Sequence, residues 1–91
     1  VVSFSYYNNR DIEVEIHPSA RRHGIAIGEI RHAVRNAQSI DDQEGDLRLY
    51  LGPSRSGGLI EVVTIVRSPT SELAIDAMRM RADYLPLLLG D

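Results

Sequence analysis

The chain contains no cysteine. Disulfides, cysteine-bound zinc and a thiol nucleophile are therefore excluded, and nothing in the sequence favours an oxidising compartment. A cytoplasmic location is the expectation. Long apolar runs are missing as well: none approaches the roughly 20 residues of a membrane-crossing helix, and no basic-then-apolar leader is readable, so no membrane partner is expected. Nor is there an excess of positive charge. The formal net charge is -3, which argues against holding nucleic acid by bulk electrostatics alone. Lysine is absent, so all 10 basic residues are arginine, the side chain better suited to forked contacts with phosphate.

What is present reads as one globular domain over 1–91, with 43% hydrophobic and 25% charged residues around a compact core. "DIEVEI", residues 11–16, alternates Ile12, Val14 and Ile16 with Glu13 and Glu15, which predicts a half-buried strand. Val2, Phe4 and Tyr6 alternate in the same way and "NNRD" supplies turn residues, so residues 1–10 are expected to form a hairpin arm or a loose one. "HPSARRHG" predicts a short helix opened by Pro18 and closed by Gly24. Ile27, Ile30, Val34 and Ala37 fall at intervals of three and four and predict a second helix from about 26 to 39, with no capping side chain at its start.

"DDQEGD", 41–46, reads as a solvated acidic loop. Strands are expected near 47–51, 59–66 and 73–78. The middle one is apolar on nearly both faces, as a central strand would be, with Glu61 and Thr64 marking its more solvated side. The tail predicts a short helix limited by Pro86. The expected fold class is α+β: an antiparallel β-sheet meander with two helices packed on one face and a short C-terminal helix.

Several chemistries find no residues to carry them. The histidines are His17, His23 and His32, and the first two are six apart rather than four, so no metal site is expected. "GPSRSGG" lacks the lysine of a phosphate loop and joins two strand patterns, although Arg55 at its tip is placed to touch a phosphate. No Gly-x-Ser-x-Gly elbow occurs. What remains is a set of cations: Arg21, Arg22 and His23 at one helix end, Arg48 on a strand, and Arg79, Arg81 and Tyr84 after the last strand. RNA cleavage through the 2′-hydroxyl needs a proton acceptor, a cation for the growing phosphate charge and a proton donor for the leaving oxygen. His23 suits acid or base, Arg79 and Arg81 suit charge stabilisation, and Tyr84 suits orientation or proton relay. A plain alternative stands beside this: Arg79 and Arg81 pair with Asp76 and Asp83, and His23 simply favours a helix C-terminus.

Three pieces in order, "ARRHGIAIGEIRHAV", "LYLGPSRSGGLIEVVTIV" and "AIDAMRMRADYLPLL", together resemble small bacterial toxins of the BrnT-like group within the wider RelE fold. The resemblance spans about residues 17 to 88. It implies a type II toxin that cleaves messenger RNA, free or ribosome-bound, without a metal or other cofactor, and that is silenced by a cognate antitoxin in a hetero-oligomer, with a homodimer as another possible assembly. By position it implies catalytic roles for Arg79, Arg81, Tyr84 and His23, and RNA contacts from the Arg22-His23-Gly24 segment; Arg21, Arg48 and Arg55 are RNA-binding candidates on charge and position. The acidic net charge, the lack of lysine and the N-terminal segment depart from the usual pattern. A non-catalytic interaction module, either a degenerate toxin or a small dimerising protein, is the alternative function.

Overall fold

A computed structural model describes residues 12–89 of the chain. Its elements are strand β1 (Glu13–Ile16), a 3-10 turn at Pro18–Arg21, helix α1 (Ile27–Arg35), strands β2 (Ser39–Asp42), β3 (Leu47–Pro53), β4 (Leu59–Ser68) and β5 (Ser71–Arg79), a second 3-10 turn at Ala82–Tyr84, and helix α2 (Leu85–Leu89). The five strands form one sheet in the order β1-β5-β4-β3-β2.

This corrects the expected antiparallel meander with two packed helices in two respects. The sheet is mixed, because β1 pairs with β5 in parallel, from Glu13 opposite Ser71 to Ile16 opposite Ala74. Short turns force β2 through β5 to pair antiparallel with their neighbours. β1 is free of that constraint: the segment carrying α1 crosses from its edge to the far edge, and the returning strands bring β5 alongside it in the same direction. Secondly, a single helix, α1, covers the sheet. The expected first helix is only a 3-10 turn. Pro18 opens it, the His17 Nδ1 atom accepts from the Ser19 amide at 3.0 Å, and Gly24 at φ 81° ends the local helical path.

α1 ends at Arg35, short of the expected 39, and starts at Ile27, with Ala26 as a cap residue whose side chain makes no capping bond. Its Ile30, Ala33 and Val34 pack on Val14, Tyr50, Ile60, Val62, Ala74 and Ala77 to make the core. Close seating depends on Gly52, where an added Cβ would collide with the Ala33 carbonyl. β2 occupies the start of the expected acidic loop, because Asp41 and Asp42 pair across to Leu49 and Arg48. β4 is central, as its apolar run predicts.

Glu61 and Thr64 are not its solvated side. Both are buried, at 2% and 0% exposure, because each has a polar partner inside the fold. Thr64 Oγ1 and Tyr50 Oη donate to Glu72 Oε1, at 2.8 and 2.5 Å, while Arg48 Nη1 donates to Glu72 Oε2 at 3.0 Å. The expected arm at 1–10 lies outside the described residues. The short C-terminal helix is present as α2, and no helix among the described residues is long and apolar enough to cross a membrane.

Candidate functional site

A cleft of about 310 Å³ opens where α1 begins, beside the β3–β4 loop and the ends of β4 and β5. Ile25, Ala26, Leu59 and Ile60 give it an apolar lining, and Glu29, Ser54, Ser56 and Arg79 a polar one. Local chemistry fixes each wall. The Gly24 amide donates to the Arg21 carbonyl at 3.0 Å, closing the turn that delivers Ile25 to the cleft. The β3–β4 loop is fastened to the first turn of α1: the Arg55 amide donates to Glu29 Oε1 at 2.6 Å and its Nε to Glu29 Oε2 at 3.1 Å. That amide bond, with the guanidinium charge, holds the Glu29 carboxyl below its ordinary value. The Arg55 guanidinium also lies over Gly28, where an added Cβ would require that guanidinium to shift.

Arg79 ends β5 and lines the cleft, its backbone paired with Ile60 of β4. Among the described residues its guanidinium has no hydrogen bond and no ion pair. The other sequence candidates are differently employed. Arg81 donates from its amide and Nε to Glu61 Oε2 at 3.0 and 3.2 Å, and from Nη2 to Glu61 Oε1 at 2.9 Å. Those bonds hold the guanidinium above its ordinary pKa. Tyr84 belongs to the same group, with the Arg81 guanidinium 5.5 Å from its ring centre. Glu61 follows Ile60 on β4, so the two side chains leave opposite faces of the sheet. Arg79 and the Arg81–Tyr84 pair are thereby separated onto the two faces rather than clustered.

Arg48 bridges Asp42 and the buried Glu72, and its hydrogen bond to Asp42 heads the causes that raise its pKa. Arg55 is bound to Glu29. Arg21 is exposed and its guanidinium has no partner among the described residues. Arg22 and His23 both face Asp76: Arg22 Nη2 stands 3.7 Å and His23 Nε2 3.6 Å from Asp76 Oδ1. His23 immediately precedes Gly24 and Ile25 at the cleft wall, and Asp76 lies three residues before Arg79 on β5. The alternative pairing of Arg79 with Asp76 does not form.

Sequence reading missed Glu29 and the serines Ser54 and Ser56. Their place at the cleft depends on the β3–β4 loop meeting α1 across 26 residues of chain, and no local spacing announces that contact. Among the described residues no group of His, Asp and Glu is arranged to hold a metal ion. In electrostatic terms the site is one cation without a partner among the described residues, over a small hollow lined by apolar and polar residues alike; His23 is not among the lining residues and its ring faces Asp76. Compared with family models, curated proteins and solved structures, the chain matches none.

Proposed function

We propose that this protein is a cytoplasmic endoribonuclease of the type II toxin kind, cutting messenger RNA without a metal and restrained by an antitoxin protein. The single observation that carries the proposal is Arg79: an arginine at the wall of a cleft, unengaged among the described residues, while Arg48, Arg55 and Arg81 are each bound to carboxylates. The sequence resemblance over residues 17 to 88 supports the same reading. Arg79 neutralises charge gathering on the phosphate as the 2′-oxygen attacks it, and a cation already in place needs little reorganisation to do so. His23 moves the proton, from the 2′-hydroxyl or to the leaving 5′-oxygen. Arg81 and Tyr84 brace the chain that leaves β5, through Glu61.

Controlled expression in a bacterial host tests the proposal: the intact chain arrests growth, Arg79→Ala does not, and co-expression of the antitoxin relieves the arrest. Unimpaired growth at full soluble expression would remove the toxin reading.

A second reading, a non-catalytic interaction module, draws on the same ion pairs. With Arg48, Arg55 and Arg81 each paired to a carboxylate and a net charge of -3, the positive charge open to a polyanion among the described residues is reduced. That reading requires growth to be indifferent to Arg79.

A further inference from the structure

We propose that Asp76 is the positioning residue of His23, holding the imidazole through Nε2 and leaving Nδ1 as the nitrogen that exchanges a proton with RNA. The second half of the statement rests on the nuclease reading; the Asp76–His23 contact does not.

Asp76 Oδ1 is buried and accepts no hydrogen bond from the described residues. A buried carboxylate oxygen left without a donor is costly, and such atoms in folded proteins are nearly always satisfied. The adjacent hydroxyl is already used, since Ser19 Oγ donates to the Ile75 carbonyl at 2.7 Å. Two donors stand just beyond bonding distance, His23 Nε2 at 3.6 Å and Arg22 Nη2 at 3.7 Å. Either closes the contact by moving less than about 1 Å. The side chains differ in what ordering them costs. Arg22 is 62% exposed and has four flexible torsions to fix, whereas His23 is 41% exposed and has two. The backbone at His23 is also held, because the Gly24 turn closes directly after it. Imidazole is therefore the cheaper partner, and Arg22 beside it adds positive charge to the same carboxylate.

The chemical consequence concerns the tautomer. A neutral imidazole has one N–H and one lone pair. If Nε2–H donates to Asp76, the lone pair is on Nδ1. Nδ1 then takes the 2′-hydroxyl proton as the 2′-oxygen forms its bond to phosphorus and the bond to the 5′-oxygen breaks. The imidazolium returns that proton to the 5′-oxygen, leaving a 2′,3′-cyclic phosphate and a 5′-hydroxyl. Asp76 touches no substrate atom; it orients the ring and fixes which nitrogen carries the proton.

The test is nitrogen-15 NMR of the His23 ring in the full chain, assigned with His23→Gln, beside steady-state cleavage of a short RNA. In the native protein the ring nitrogens show the wide shift separation of a single Nε2–H tautomer, and Asp76→Ala narrows it to that of a freely averaging imidazole. Asp76→Ala also lowers kcat on the order of a hundredfold with KM little changed, as expected for a misaligned proton-transfer group. Asp76→Asn keeps the side-chain volume but offers the ring an amide N–H in place of a carboxylate oxygen, so it shifts the imidazole toward the other tautomer and loses most of kcat, and it carries the test if the alanine variant does not fold. His23 nitrogens unmoved in Asp76→Ala, with Arg22 side-chain signals shifting instead, would assign the carboxylate to Arg22 and overturn the proposal; so would full kcat in Asp76→Asn. RNA left whole by the native protein would end the nuclease reading alone, and the ring nitrogens would still decide the contact.

Discussion

Arg79 and Arg81 are two residues apart and do different things. Arg81 is tied by three bonds to a carboxylate with 2% exposure, whereas Arg79 lines the cleft and its guanidinium has no partner among the described residues. Replacement by alanine should therefore separate stability from activity. Arg81→Ala leaves Glu61 a buried anion without its cation and lowers the melting temperature. Arg79→Ala leaves the melting temperature near that of the native protein and removes cleavage, with a loss on the order of a hundredfold or more in kcat. Thermal unfolding followed by circular dichroism, run beside an RNA assay, checks both. A fall in stability for Arg79→Ala as large as for Arg81→Ala would mean that Arg79 has an internal partner after all. The sequence could not separate the two arginines. "MRMR" places them alike, and their difference arises from the alternation of Ile60 and Glu61 on the neighbouring strand.

Among the elements, the β3–β4 loop owes its position to Glu29. That carboxyl is held below its ordinary value by the Arg55 amide and guanidinium. A carboxylate with a lowered folded pKa stabilises the folded arrangement above its ordinary value, and the contribution disappears as pH falls through the folded one. The loop should accordingly stay latched at neutral pH and loosen in acid, below the usual carboxylate range. At neutral pH, Glu29→Gln should speed hydrogen exchange at the Arg55 amide several-fold or more, with the β4 amides unaffected. Equal protection of Arg55 in that variant would show that the loop holds itself. Gly52→Ala acts elsewhere, by pressing a methyl group onto the Ala33 carbonyl beneath α1. It should destabilise the domain by about 2 kcal/mol, measured by urea unfolding. Element types were largely readable where apolar periodicity was strong, as in β4, β5 and α1. β2 was not, because its "SIDD" sequence has little strand character and is drawn into the sheet by pairing with β3. The parallel β1–β5 pairing was likewise illegible, since a contact between strands so far apart in the chain leaves no local mark.

At the scale of the whole molecule, a small domain with an apolar core on one side of α1 also carries a buried polar centre. Glu72, 1% exposed, accepts from Tyr50, Thr64 and Arg48 and so joins β3, β4 and β5. Glu72→Ala strands three donors at once and should cost about 3 kcal/mol, again read from urea unfolding. A change below 1 kcal/mol would show those donors finding other acceptors. Buried carboxylates explain why charged residues in the sequence were poor guides to the surface: Arg48, read there as an RNA contact, is bonded to Glu72, and Glu61, read as a solvated position, is bonded by Arg81. The proposed chemistry rests on the cleft, with Arg79 in its wall, and on His23, which precedes the lining residue Gly24 in the chain and faces Asp76. The most direct test is incubation of RNA with the purified, antitoxin-free chain in the presence of a chelator, with and without ribosomes, followed by analysis of the fragment ends. Fragments ending in 2′,3′-cyclic phosphate and beginning with a 5′-hydroxyl, formed by the native chain and not by Arg79→Ala, are the expected result; RNA left intact under both conditions, or cut equally by the two proteins, would contradict it.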